Sequence, residues 1–494
     1  MLMMSEETAV LTLEDVLRGV QPVDARREPN MADVLRTVAF SEAVIDSRLA
    51  TPGSLFVAMR GERVDGHNFL ADATARGARA AIVQREYVGT VVLDRPFTLV
   101  DSTTGAGLES AGTDTVLLIV VDDPLGSLQR LAAYHRSRYA PIMIGITGSV
   151  GKTTTKEATA AVLSRRYRTL KNPRSYNSES TLPIVLLQID DQHEVAVLEM
   201  GMYQPGDIAF LAQLARPSIG IVTNVGPSHM ERVGSIEAIA NTKAELIEAL
   251  PADGHAILNI DDPRVVRMAE RTQAKPFLFG LDPAADLWAD DIQSRGLEGI
   301  SFRAHHAGEA VTLRLPLIGR HSVHTALAAS AAGLLLGLGW DAIIDGLRDS
   351  NAQLRLLAVP GYNGSTLIDD TYNASPASSL AALNLLSELT GRHVAVLGDM
   401  LELGQMEEEA HRFVGARAAE VVQLLITLGD RARWIADEAR QAGMPADALY
   451  QVTNTADAAS LLRTLITPGD SILVKGSRGM AMEAIVAELQ QRTN

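Results

Sequence analysis

The sequence predicts an α/β protein of three domains built on parallel sheets, and three observations carry that fold class. Short apolar runs alternate with helical stretches along most of the chain, the ordering that parallel strands with crossover helices require. The chain has 494 residues, more than one hydrophobic core usually organises. Its strongest motif, Gly145-Ile-Thr-Gly-Ser-Val-Gly-Lys-Thr-Thr-Thr-Lys156, stands where a strand should hand over to a helix.

The first domain, 1–140, is a small α/β unit: 54–59, 80–83 and 116–121 have strand character, and 101–114, rich in Gly, Ser and Thr, forms a surface loop. Pro141 marks the boundary to the second, 141–350. Its first strand, 142–146, runs into the glycine-rich turn and a helix from about Lys152. Strands at 195–199, 218–224 and 255–260 each end in polar residues, which puts ligand groups at the carboxyl edge of a parallel sheet. The apolar run 326–340 is shorter than the roughly 18 residues of a membrane span, and its Ala and Gly content suits close helix packing. A third domain, 351–494, begins near 350–353 and repeats the pattern with strands at 365–369, 392–397, 423–427 and 471–474, a smaller Rossmann-like doubly wound sheet.

Composition narrows the function. The chain is 47% hydrophobic and 21% charged, ordinary for a folded soluble protein. Net charge is −16 with no cluster of Lys and Arg, so no nucleic acid is expected as partner. With no cysteine, thiolate nucleophiles, disulfides and Cys-based metal sites are excluded. The acidic start, Met1 to Glu7, lacks the pattern of an export signal, so a cytoplasmic protein without membrane insertion is expected.

In the turn, Gly148 and Gly151 free backbone N–H groups to face phosphate, Lys152 supplies a cation for the β and γ phosphates, and Thr153 offers a hydroxyl to Mg²⁺. The general pattern has its first glycine where this chain has Ile146, with Gly145 one place early. A ligand-free glycine turn is the bland alternative, disfavoured by the strand before and the helix after. Glu199 closes the next strand and suits a hard cation. His229, in Thr223-Asn-Val-Gly-Pro-Ser-His229, and Lys243 follow later strands. Taken singly, His229 reads as a hydrogen-bonded loop residue and Lys243 as a solvated helix lysine. Taken together with Thr153 and Glu199, they fall after successive strands of one sheet and point to one rim.

These residues resemble the Mur ligases, in the branch that joins D-alanyl-D-alanine to a UDP-N-acetylmuramoyl tripeptide, over nearly the whole chain. Asp46-Ser-Arg48, Pro52-Gly-Ser-Leu-Phe-Val-Ala58 and Asp65-Gly-His67 are similar to the family's uridine-nucleotide segment. Thr147-Gly-Ser-Val-Gly-Lys-Thr153 is similar to its variant phosphate loop, which accounts for the displaced glycine. Ile368-Asp-Asp-Thr-Tyr-Asn-Ala-Ser-Pro376, Leu397-Gly-Asp-Met-Leu-Glu-Leu-Gly404 and Val474-Lys-Gly-Ser-Arg-Gly-Met480 are the most discriminating strings.

The resemblance implies ATP contacts from Thr147, Gly148, Ser149, Val150, Gly151, Lys152, Thr153, Thr154, Asn259, Arg355, Asp370, Tyr372 and Asn373. It implies Mg²⁺ at Thr153, Glu199, His229 and Lys243, with Lys243 carbamylated, since an ammonium would repel the cation. Catalytic roles fall to Lys152, Lys243, His229 and Arg355, and substrate contacts to Ser47, Arg48, Asn177, Ser178, Glu179, Lys475 and Ser477. The expected partners are the UDP-linked tripeptide and D-alanyl-D-alanine, bound by a monomer.

The chain departs from the family pattern in four places. His321-Ser-Val-His-Thr-Ala-Leu327 has Ser322 and Thr325 where amides are usual, and Leu354-Arg355 replaces a Gly-Arg pair. Asn177-Ser-Glu-Ser-Thr-Leu-Pro183 lacks a glycine at Thr181, and the third-domain motif ends Asn373-Ala-Ser-Pro376.

The implied reaction is phosphorylation of a carboxylate by ATP and attack of an amine on the acyl phosphate, with domain closure bringing the substrates together. Other ligases of the superfamily, adding a third stem residue, glutamate to folate or cyanophycin units, are the nearest rivals. A P-loop ATPase accounts for 147–153 but leaves the third-domain strings without a task, and a non-catalytic UDP-sugar binder has no use for Lys152 and Glu199.

Overall fold

The computed structural model describes residues 11–22, 37–61, 64–111, 115–227, 230–349 and 357–491. The chain is mixed α/β with largely parallel sheets, as the sequence predicts. It falls into two compact units: Met1–Met143 with Leu170–Met200 and Phe210–Arg216, and Ile144–Thr169 with Gly201–Ala209 and Pro217–Asn494.

The first unit holds a five-stranded parallel sheet in the order Ala43–Val44, Leu55–Val57, Ala80–Gln84, Val116–Val121, Phe97–Asp101. All six residues of Val116–Val121 are buried, which is why that strand is an unbroken apolar run rather than an alternating one. Helix Leu13–Val20 lies against helix Pro124–Arg136 so closely that a Cβ on Gly19 would stand 2.9 Å from Leu131 Cα. This unit also carries the strand Val195–Glu199, buried throughout.

In the second unit one sheet runs Glu309–Leu315, Ile300–His306, Leu287–Ser294, Lys275–Gly280, His255–Asn259, Ile219–Val222, then the strand Ile142–Thr147 from Ile144 onward. The last five pair in parallel. The first three are antiparallel neighbours, where the sequence leads to an expectation of parallel strands alone. Helix Lys152–Leu163 packs on Ser322–Leu335 and on Trp340–Leu347, where Cβ atoms on Gly333 and Gly346 would meet Val162 at 2.9 and 2.5 Å. The small residues of 326–340 thus serve close packing, as predicted, and among the described residues no helix is long and apolar enough to cross a membrane.

The second sheet of this unit runs Leu357–Pro360, Thr366–Asp370, Ser471–Lys475, His393–Gly398, Leu424–Leu428, Leu449–Val452, parallel except for its first pair. Two apolar clusters, one containing Leu383, Leu397 and Val414 and the other Val396, Leu462 and Val486, belong to its strands and helices.

Two fully buried histidines make the fold sensitive to acid. His135 Nε2 meets the Ile189 carbonyl at 2.7 Å, and its Nδ1 is buried without a hydrogen-bond partner among the described residues. His411 Nε2 accepts the Met400 N–H at 2.9 Å, so its proton sits on Nδ1, which faces the Glu407 carbonyl at 2.6 Å. Burial lowers both imidazoles below the usual 6.5. The unfolded chain therefore takes up protons near 6.5 that the folded chain refuses, and stability is full above that pH and lost as the pH falls below it. The depressed carboxylates Asp101 and Asp290, both at about 2, act only at much lower pH. Denaturant unfolding of the protein between pH 7 and 5 should show stability dropping by up to about 1.4 kcal/mol per pH unit for each ring. His411→Gln should remove this ring's share of that slope; an unchanged slope would show that the ring does not contribute to it.

Candidate active site

The glycine-rich turn is built as its residue types require. The buried strand Ile142–Thr147 delivers Gly148, at φ +151°, where a Cβ would stand 1.9 Å from Thr223 Oγ1, so only glycine fits. Gly151, at φ +85°, opens helix Lys152–Leu163, whose first turn has neither a side-chain cap nor an acidic residue. Its leading N–H groups and the positive end of the helix dipole suit an anion. Lys152 Nζ donates to the Gly148 carbonyl at 2.6 Å, which keeps the ammonium over the turn. Thr153 is buried, and Thr147 Oγ1 is buried without a partner among the described residues.

The end of the neighbouring strand clasps this turn. The register Val222↔Thr147 brings Thr223 and Asn224 alongside it. The Val150 N–H donates to Asn224 Oδ1 and Asn224 Nδ2 donates back to the Val150 carbonyl, both at 2.9 Å, while Thr223 Oγ1 donates to the same carbonyl at 2.8 Å. Ser149 Oγ donates to the Gly226 carbonyl and accepts the Gly226 N–H, each at 2.8 Å. Asn259 Nδ2 donates to the Thr223 carbonyl at 2.9 Å, and Asp262 accepts the Val225 N–H at 2.7 Å. Sequence reasoning missed Thr223, Asn224 and Asp262 as the clasp. Their signal was a donor–acceptor side chain at a strand's carboxyl end.

Lys243, on helix Ile236–Glu248, is 1% exposed, which refutes the solvated-lysine alternative. Its Nζ lies 3.6 Å from Met202 Sδ, and among the described residues it has no carboxylate partner. Burial first, and then repulsion from Lys152, hold its ammonium well below the usual range. The two lysines of the site are therefore close enough to oppose each other's charge. In the first unit Glu199, 1% exposed, accepts from Asn177 Nδ2 at 2.8 Å. Asn172 fixes the backbone of Glu199 on both sides, accepting its N–H at 2.9 Å and donating to its carbonyl at 3.1 Å. Ser178 Oγ bonds Thr181 Oγ1 at 2.9 Å, so the threonine that replaces a usual glycine braces this loop, and the Glu179 carbonyl accepts from Gln129.

Of the two hydroxyls that replace amides, Ser322 Oγ is spent on the Ile318 carbonyl at 2.7 Å and Thr325 is buried. The Nε2 of His324, one residue away, meets Asp261 Oδ2 at 2.7 Å, and the same oxygen takes the Leu281 N–H. His321 is exposed to solvent, yet crowding by the protein around it, and then His324 and Lys475, hold its imidazole below the usual range.

At the carboxyl edge of the last sheet, Lys475, 2% exposed, donates to Asp370 Oδ2 at 2.7 Å and to the Asn373 carbonyl at 2.8 Å. Arg478 lies over the Tyr372 ring at 5.3 Å, and Ser477 Oγ takes the Leu401 N–H at 2.8 Å. Asp370, Tyr372, Asn373, Lys475 and Ser477 thus form one group. In the first unit Ser47 is buried, while Arg48 is exposed and bidentate on Asp46. His67 Nε2 accepts the Gln84 N–H at 3.0 Å and its Nδ1 faces Asp65 at 2.7 Å, so the Asp65-Gly-His67 motif braces its own loop. His229 and Arg355 lie outside the described residues.

Three family models match the chain: "Mur ligase family, catalytic domain" over 41–136, "Mur ligase middle domain" over 146–333 and "Mur ligase, glutamate ligase domain" over 354–478. The UDP-N-acetylmuramoyl-tripeptide–D-alanyl-D-alanine ligase of Bacillus subtilis is 35% identical over 448 residues, 90% of this chain and 92% of that one. A crystal structure of MurF from Acinetobacter baumannii superposes with a TM-score of 0.77 at 28% identity, covering 97% of this chain and 98% of that one. The Thermotoga maritima MurF ligase in complex with ADP gives 0.73 at 26% identity, covering 93% and 98%.

Proposed function

The chain belongs to the Mur ligase family, and from that premise we propose that it joins D-alanyl-D-alanine to UDP-N-acetylmuramoyl tripeptide at the expense of ATP, in peptidoglycan precursor synthesis. The observation that carries this is the clasped glycine turn leading into an uncapped helix with Lys152 above it, a cradle for the phosphates of ATP.

The chemistry follows from the weakness of a carboxylate as an electrophile. Transfer of the γ-phosphoryl group to the terminal carboxylate of the tripeptide gives an acyl phosphate and ADP. The dipeptide amine then adds to that carbonyl, forming the C–N bond; the C–O bond to the phosphoryl group breaks, phosphate leaves with its electron pair, and the amine proton passes to solvent. Lys152 and Arg355 meet the charge on the transferring group. Asn259, Asp370, Tyr372 and Asn373 hold the nucleotide; Ser47, Arg48, Asn177, Ser178 and Glu179 hold the UDP-muramoyl peptide; Lys475 and Ser477 hold the dipeptide. We assign 1–140 to the UDP-linked substrate, 141–350 to ATP, and 351–494 to the dipeptide and part of the nucleotide, in a monomer acting in the cytoplasm, where UDP-linked precursors are made.

By resemblance we assign Mg²⁺ to Thr153, Glu199, His229 and Lys243, a set that needs oxygen from Lys243: its buried amine is readily neutral, the state that reacts with CO₂ to give a carbamate. When bound, the ion supplies charge neutralisation at the phosphates. The test of the whole reading is phosphate release by the purified protein with ATP. Release should require both the UDP-muramoyl tripeptide and D-alanyl-D-alanine. Release that ignores the amine would make the protein an ATPase instead.

A further inference from the structure

Apart from the Leu401 N–H that meets Ser477, the motif Leu397-Gly-Asp-Met-Leu-Glu-Leu-Gly404 has no task in the site described above, yet its backbone is fixed at almost every step. The Asp399 carboxylate, 4% exposed, accepts the N–H groups of Arg431 at 3.0 Å and Ala432 at 2.7 Å. Met400 N–H goes to His411, Leu401 N–H to Ser477 Oγ, and the Asp399 carbonyl takes the Ser477 N–H. The chain then turns through left-handed backbone twice, at Glu402 (φ +65°) and Gly404 (φ +56°). A non-glycine residue keeps such a conformation only where its surroundings over-determine it.

What the turn meets is helix Met230–Val233 of the same unit. The Glu231 N–H donates to the Glu402 carbonyl at 3.3 Å. A Cβ on Gly404 would stand 3.2 Å from both Cα and N of Glu231 and 3.5 Å from the carbonyl carbon of Met230, so the two backbones meet directly and any side chain here would press the Glu231 backbone away. The same helix carries Arg232, whose guanidinium lies 5.1 Å from the Tyr203 ring centroid, next in sequence to Met202 and its contact with Lys243. In sequence it follows the segment 223–226 that clasps the phosphate turn.

Resting on the ligase reading, we propose that the turn 399–404 is a docking element through which the sheet bearing Lys475 and Ser477 sets the position of the phosphate site, with Gly404 as the positioning residue. It touches neither nucleotide nor substrate. Its task is to let the rigid turn seat against Met230–Val233, so that the groups on the two sheets are held in register during ligation.

Two substitutions test this from opposite sides of the contact, in the full-length chain. Gly404→Asn tolerates left-handed backbone but carries a Cβ that presses on the Glu231 backbone and shifts the seat. Glu231→Pro removes the N–H from the other partner, within a first helical turn where proline is accepted. Each should lower kcat for amine-dependent phosphate release by about tenfold to a hundredfold, the scale of a misplaced reacting group. KM for ATP and for the UDP-muramoyl tripeptide, and affinity for a non-hydrolysable ATP analogue, should stay within about threefold of the unsubstituted enzyme, a split that a general loss of structure does not produce. Unchanged kcat in both variants, or a fall in kcat matched by the loss of analogue binding, overturns the docking role. Wild-type protein that releases no phosphate with both substrates present overturns the ligase reading, and this inference with it; an active wild type with equally active variants overturns this inference alone.

Discussion

Replacement of Lys152 by alanine should lower ligation by about a thousandfold or more while the protein remains folded. The side chain arches over its own turn, donating to the Gly148 carbonyl at 2.6 Å and reaching the Ser149 carbonyl at 3.4 Å. Phosphates seated on the N–H groups of Gly151 to Thr154 would lie within reach of that ammonium. At an effective dielectric of about 20, a unit charge 4 Å away is worth about 4 kcal/mol, which corresponds to about three powers of ten in rate. Loss of a single preorganised donor to a charge developing in a transition state has a cost of similar size. Stability should change little, by about 1 kcal/mol or less, because Lys152 takes no part in the buried apolar core and the turn keeps its bonds to Asn224 and Gly226. Turnover near the wild-type rate would remove Lys152 from the chemistry, and a collapsed melting transition would show its role to be structural.

How much of the molecule is legible in its sequence depends on where each feature's information lies. The strands Val116–Val121 and Val195–Glu199 match the predicted bounds to the residue, because both are buried along their whole length and a polar residue marks each end, Asp122 after the first and Glu199 closing the second. The antiparallel strands Leu287–Ser294, Ile300–His306 and Glu309–Leu315 are not legible in this way. The first of them has Asp290, Asp291 and Gln293 in its interior and a register shift with Asp291 at φ +51°, so no local pattern announces it and only its pairing partners define it. The phosphate turn is legible because glycine, lysine and threonine each have one task there. The clasp by Thr223 and Asn224 is not, since it exists only once Val222 is placed in register with Thr147. Lys243 permits a sharper reading than a solvated lysine: Ile239, Thr242, Lys243, Leu246 and Ile247 are the buried stripe of its helix at helical spacing, and a lysine on such a stripe is already an anomaly.

That anomaly leads to the second large effect. An ammonium taken out of water without an anionic partner is costly, and Lys243 has only Met202 Sδ at 3.6 Å among the described residues, with Lys152 repelling it. The group therefore gives up its proton readily. A neutral amine attacks CO₂, forming the N–C bond and releasing a proton to water, and the resulting carbamate carries the negative oxygen that a Mg²⁺ site needs. Lys243→Ala should lose activity by about a hundredfold or more, as expected for an oxygen group missing from a charged transition state. It should also leave a cavity that formate or acetate can enter, restoring part of the rate. Lys243→Met, of similar volume, should be as inactive but refractory to rescue, because the space is filled. Protein equilibrated with ¹³C-bicarbonate should show a protein-bound carbamate resonance that both variants lack. If that resonance is absent from the wild type and neither acid restores the alanine variant, Lys243 acts as an amine and the proposed ligand set for Mg²⁺ is wrong.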